Sequence, residues 1–249
     1  MIVVDTGPGE VQAAFSTRVG GNSTGAFGSL NLGATTGDHP DAVRANREAL
    51  AGALGFDAAR AACLTQVHGA DVLTLGAGGG EGTYCGSLEG VGDFDAAITR
   101  EPGVALLAMG ADCPVIVLWN GPGDVVAAVH AGWRGIMAGV IPSAIAAMEC
   151  DPGALQAAVG PHVGPCCYPV DDSLRDAMAR AHGADVVRGD AVDLGIACRR
   201  ALEAAGVPAA RIATVDACTS CDAERFFSYR RDGAATGRQA AVIWIGGAA

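Results

Sequence analysis

The chain has 249 residues, half of them hydrophobic and 17% charged, enough apolar material for a large core and too much for a disordered chain. Its formal net charge is −11 and no Lys/Arg cluster exceeds two adjacent residues, which argues against a nucleic-acid-binding surface. The 37 glycines and 11 prolines are spread among apolar segments, the pattern of tight turns rather than low complexity.

The opening MIVVDTGPGE has no basic segment followed by an apolar one, and no apolar run reaches membrane-spanning length. With nine cysteines and no signal peptide, the expectation is a cytoplasmic protein with reduced thiols and no membrane partner. VQAAFS (11–16) predicts a strand, and the Gly/Ser/Asn-rich residues 17–33 predict a long loop of the kind that carries function. PDAVRANREALAGAL (40–54) predicts a helix capped by Asp38. Short strands are expected at 64–67 and 72–75, around His68 and Gly69, and a Gly-rich surface excursion at 76–92.

Apolar runs at 95–99, 104–109 and 114–118 predict buried strands, and VVAAV (125–129) another, after the turn GPGD. A helix is expected at 135–149, although Pro142 interrupts it. A strand at 155–159, helices near 172–181 and 191–205 with a short strand between them, and strands near 211–215 and 239–245 complete the chain. With no repeat and no linker, the expected architecture is α/β (α+β): a single layered domain, residues 1–249, with a large mixed β-sheet flanked by helices.

Three places put a reactive side chain at the end of an apolar run, beside glycine or acid: His68 in QVHG, Cys113 in GADC and His130 in VHAG. Two imidazoles and a thiolate are a borderline-soft donor set suited to zinc. Three protein ligands would leave a fourth position open, as catalytic sites do. By spacing alone, a lone His or Cys in such a place is more often an ordinary core residue.

Across most of residues 13–245, the chain resembles the YfiH family of laccase-domain proteins. The likeness rests on STRVGGNSTGAFGSLNLG, VRANRE, QVHGADV, ADCPV, AVHAGWRG, VGPHVGPCCYPV and FFSYRRDGAATGRQAAVIWI. That family is known as purine nucleoside phosphorylases, formerly multicopper polyphenol oxidases. The resemblance implies a layered α/β fold and a zinc ion held by His68, Cys113 and His130. It implies phosphorolysis of adenosine, inosine and S-methyl-5′-thioadenosine, and deamination of adenosine. The expected partners are thus a small purine nucleoside and phosphate.

Within the motifs, Arg18, Arg47 and Arg134 offer planar donor forks for phosphate, or else structural ion pairs. Asp112, beside Cys113, would act in catalysis by orienting a metal-bound water or a histidine, or would be a turn carboxylate. Asn31 and Ser29 would reach the pocket or close their own turn. Trp133 reads as packing. His162 would approach the site, while His39 and His182 read as helix-end residues. The Cys218–Cys221 CxxC motif reads as structural in the absence of a second CxxC, and Cys166 and Cys167 as lining a packed loop.

Two other activities fit the same donors. One is a copper-dependent polyphenol oxidase, since two His and one Cys match a blue-copper set. Five histidines are too few to add a trinuclear centre in one chain. The other is a hydrolase editing peptidoglycan precursors, in which a zinc-bound water would cleave an amide. The sequence leaves the oligomeric state open.

Overall fold

The computed structural model describes residues 1–246; the last three residues of the expected 1–249 domain lie outside the described residues. Strands β1 (Ile2–Val3) and β2 (Val11–Phe15) precede helix α1 (Pro40–Leu54). Strands β3 (Ala62–Cys63), β4 (Val72–Leu75), β5 (Ala96–Thr99), β6 (Leu106–Gly110), β7 (Val115–Asn120) and β8 (Val126–His130) follow. Helices α2 (Trp133–Ala138) and α3 (Val140–Ala147), strand β9 (Leu155–Val159) and helix α4 (Asp172–His182) come next. The chain ends with β10 (Val187–Arg188), β11 (Ala191–Val192), α5 (Leu194–Ala204), β12 (Ile212–Thr214), α6 (Tyr229–Asp232) and β13 (Gln239–Ile245).

The fold is mixed α/β, but the single large sheet expected from the sequence is two. A five-stranded sheet runs β1-β2-β13-β6-β3 and a six-stranded one runs β12-β9-β7-β8-β5-β4, beside a β10-β11 ribbon. Period-2 alternation explains the division. In β7, Val115, Val117 and Trp119 point to one apolar cluster, and Ile116 and Leu118 to another. In β13, Ala241, Ile243 and Ile245 join the first of these, while Ala240, Val242 and Trp244 join a third.

The shared cluster lies between the two sheets. The second packs the six-stranded sheet against α3 and α5, and the third packs the five-stranded sheet against α1, Phe56 and Tyr84. The result is four layers, helix–sheet–sheet–helix. Central strands buried on both faces read as continuous apolar runs, so one-dimensional pattern does not reveal how many sheets they form.

Several local expectations are corrected by specific bonds. The helix expected at 135–149 is two, because Gly139 adopts φ +90° and caps α2 before α3 begins; Pro142 then sits in the first turn of α3, where no amide donor is needed. The cap of α1 is His39, whose Nδ1 accepts from the Asp41 amide, while Asp38 accepts from Ser23 and Asn31. Strand pairing lies at Ala62–Cys63 instead of 64–67, because the amides of residues 67 to 69 are taken by Asp95. Residues 191–192 are strand, and α5 starts only after Asp193, which caps it through the Ile196 amide. The Gly-rich segment 76–92 is anchored as well as superficial: Tyr84 is fully buried and its carbonyl accepts from Arg47.

The long loop at 17–33 is held by Asn46 of α1. The buried Asn46 amide accepts from Asn22 N and donates to Ser23 Oγ and the carbonyls of Ser29 and Asn31. Removing it strands buried polar groups, each worth about 1–3 kcal/mol. Asn46→Ala is therefore expected to destabilise the protein by about 2–4 kcal/mol, read as a lowered urea midpoint at unchanged slope.

Candidate metal centre and substrate cavity

The three residues singled out by their motifs converge where the two sheets meet. The chain leaves the five-stranded sheet at Gly110, turns through Asp112 and Cys113, and enters the six-stranded sheet at Val115. Val115 pairs with His130, the last residue of β8, so strand register alone sets Cys113 beside that histidine. His68 comes from the loop before β4 with φ +62°, a left-handed conformation that a non-glycine residue keeps only where its surroundings hold it. The ligand atoms of His68, Cys113 and His130 all lie within 4.8 Å of one another. The Cys113 sulfur is 3.9 Å from His68 Nε2, and the two imidazoles meet edge to face with centroids 4.8 Å apart.

Asp95 holds this arrangement and was missed in the sequence reading. Its side chain is fully buried, with Oδ1 2.7 Å from His130 Nδ1. It also accepts the amides of Val67, His68 and Gly69, at 3.1, 3.0 and 2.6 Å. Its backbone carbonyl takes the His130 amide at 2.7 Å. Because Ala96 pairs with Val129, Asp95 stands across from His130 by register. A carboxylate on Nδ1 leaves Nε2 to face the pocket, as carboxylates do behind metal-bound histidines. The only signal in the sequence was an acid at the start of an apolar run, in FDAAIT.

Burial pushes the Cys113 thiol up, but its hydrogen bonds to His130 and His68 and their charge bring it down to about 6. Burial likewise disfavours the charged form of His130, yet hydrogen bonds to Asp95 and Cys113 raise it to about 9. Burial acts against ionisation of Asp95 too, and the His130 and Gly69 hydrogen bonds outweigh it, holding the carboxyl below its ordinary value. The pairing favours the thiolate of Cys113 and the protonated form of His130, so a metal that takes His130 Nε2 competes with its proton. Gly132 is required for space: a Cβ there would stand 2.8 Å from His68 Cδ2 and 3.0 Å from the Cys113 sulfur.

The three residues open onto a cavity of about 660 Å³. Its walls include Arg47, Arg134, Arg230 and Arg238, the aromatic rings of Trp133, Tyr168 and Tyr229, and Gln66. Arg134 stacks 4.3 Å from the Trp133 ring centroid. Arg47 is buried and donates to the carbonyls of Leu32 and Tyr84. Gln66 is fixed by paired bonds with the Met109 backbone.

Of the other residues singled out, Arg18 and Asn31 do not line this cavity. Arg18 donates to the carbonyls of Gly28 and Ala223, and the fully buried Asn31 bonds Gly33, Thr36, Asp38 and the Arg238 amide. Ser29 closes its own turn onto Arg18 O and the amides of Gly20 and Gly21. Asp112 lines the cavity with φ +96°, but Oδ1 accepts from Thr219 Oγ1 at 2.6 Å and Oδ2 accepts from the Arg230 amide. His162 bonds the Gly160 carbonyl and lines a different depression with Asp193 and Gly195. Trp133 both packs on the core and lines the cavity.

The family described as multi-copper polyphenol oxidoreductase laccase matches residues 12–246. Purine nucleoside phosphorylase YfiH of Shigella flexneri is 39% identical over 96% of this chain and 95% of its own length. Purine nucleoside phosphorylase YlmD of Geobacillus stearothermophilus is 37% identical over 93% of this chain and 89% of its own. The crystal structure of YlmD superposes with a TM-score of 0.89, covering 96% of this chain and 93% of that one at 35% identity.

Two outcomes follow from the geometry. Asp95→Asn, which keeps the shape but removes the carboxylate charge behind His130, is expected to weaken metal binding by about 10–100-fold in a competition titration with a chelator. In metal-stripped protein, alkylation of Cys113 measured by peptide mapping is expected to accelerate as pH rises, with its midpoint at about 6. A midpoint near the ordinary thiol value would contradict the histidine pairing.

Proposed function

This chain belongs to the multi-copper polyphenol oxidoreductase laccase family, and from that premise we propose that it is a zinc-dependent purine nucleoside phosphorylase. The observation that carries the reading is the cavity in which a His₂Cys donor set faces arginines and aromatic rings. The relatives named purine nucleoside phosphorylase, at 34–39% identity, support an enzyme of that class. The substrates proposed are adenosine, inosine and S-methyl-5′-thioadenosine with phosphate, and adenosine with water in a deaminase side reaction.

Zinc is favoured by the donor chemistry. Two imidazole nitrogens and one thiolate, with a carboxylate behind one histidine, match catalytic zinc sites with one position left open. A multicopper centre does not fit. His39, His162 and His182 join no group of three or more metal-binding side chains among the described residues, so no histidine-rich trinuclear cluster can form around this site. When bound, the metal supplies a Lewis-acid centre that can polarise an oxygen.

The remaining work falls to side chains. In this reading Arg134 and Arg47, with Arg238 beside them, receive the phosphate. Such a local positive pocket is needed in a chain of net charge −11. The purine stacks among Trp133, Tyr168 and Tyr229, whose flat faces accept any base at low entropic cost. Asp112, its oxygens already occupied, positions the Cys113 turn rather than moving a proton. Arg18 and Asn31 act through the loop they brace.

The test is adenosine incubated with and without phosphate, following adenine and inosine. Adenine release that requires phosphate, its loss in Cys113→Ala, and a KM for phosphate raised at least about tenfold in Arg134→Ala would match the reading. Copper-dependent oxidation of a phenol, with no turnover of nucleoside, would refute it.

A further inference from the structure

The chain gathers a second cluster of metal-binding side chains, away from the cavity. Cys166 and Cys167 lie in the short helical turn after β9, and Cys218 and Cys221 in the loop after β12. Up to 55 residues separate them in sequence, yet their four sulfurs all lie within 4.8 Å of one another. Cys221 Sγ stands 3.5 Å from Cys166 Sγ and 3.4 Å from Cys167 Sγ. All four are free thiols.

Those separations are far beyond the roughly 2.05 Å of a disulfide. The two S–S separations fall a few tenths of an ångström short of the edge of a sulfur tetrahedron built on 2.3 Å zinc–sulfur bonds, roughly 3.8 Å. Burial does not explain the cluster either. Cys166 and Cys221 are exposed and the other two half-buried, so these are not thiols filling a core.

The surroundings suit an anionic sulfur centre. The Gly164 amide donates to Cys218 Sγ at 3.2 Å, and a Cβ at Gly164 would crowd the cluster, standing 3.3 Å from both Cys166 Sγ and Cys218 Cβ. Arg230 donates to the Cys167 carbonyl and Arg231 to the carbonyls of Thr219 and Ser220. Two guanidinium groups are therefore bonded to the backbone of the loops that carry the thiols.

We propose that Cys166, Cys167, Cys218 and Cys221 form a structural zinc site, separate from the His68–Cys113–His130 centre. All four positions of the tetrahedron come from the protein, so the site is closed to substrate. On loading, each thiol gives its proton to solvent and the ion gains four thiolate donors, with no change of oxidation state. The ion ties a loop that lines the cavity to one that braces it. Tyr168, next to Cys167, lines it, and Thr219, between Cys218 and Cys221, holds Asp112 beside Cys113.

The experiment is zinc content by mass spectrometry of protein purified under reducing conditions and loaded with zinc chloride. Wild type is expected to hold two ions per chain, Cys113→Ala one, and Cys218→Ser/Cys221→Ser one. An ion that survives Cys113→Ala and is lost in the double variant supports this site even if the His–Cys–His centre binds nothing. A single ion abolished by Cys113→Ala overturns it. Should the double variant fail to fold, wild type alone decides. Alkylation of the four thiols must be slow with zinc bound and fast after chelation, and equal rates in the two states overturn the proposal.

Discussion

One buried carboxylate constrains two of the three donors at the candidate metal centre. Asp95 has no exposure to water, and a buried charge survives only when its lone pairs are met. They are met by three successive amides and one imidazole, and each bond has a structural consequence. The amides hold His68 in its left-handed conformation, and the imidazole bond turns His130 so that Nε2 faces the pocket. The same carboxylate thus positions two of the three donors. The third, Cys113, is set by the crossing of the chain from one sheet to the other.

That crossing also explains why the cavity lies where it does. Two sheets packed face to face share a dry interior, and only at the rim, where the chain passes between layers, do backbone turns and polar side chains gather. The turn at 110–114 places Asp112 and Cys113 on that rim, and α2 brings Trp133 and Arg134 to it from the other side. The loops bearing Tyr168, Tyr229 and Arg230 close the wall. In a chain of net charge −11, four of the sixteen Lys/Arg residues line this concavity.

Much of this was legible residue by residue. QAAVIWI predicts β13, and PDAVRANREALAGAL predicts α1, with the bounds the structure gives, because each is punctuated by turn residues or by a terminal glycine. The metal-binding trio was legible through its motifs. Asp95 was not, because an acid heading an apolar run looks like an ordinary strand end. Arg18 and Asn31 read as substrate contacts because their side chains suit anions and sugars, yet they are spent on backbone groups, Arg18 on the carbonyls of Gly28 and Ala223 and Asn31 on the Gly33 amide. Nor does a CxxC at 218–221 announce a partner pair fifty residues upstream.

Sequence was enough to place the longer strands and helices, such as β13 and α1, to show that the core is large, and to pick out the His and Cys at the ends of rigid elements. These are properties of periodicity and of local turn chemistry, which act over a few residues. The tertiary structure alone decided that the apolar runs divide into two sheets, that Asp95 stands behind His130, and which arginines face the cavity. Strand register and layer crossing set those facts. Both depend on contacts between residues far apart in the chain, and no local pattern encodes them.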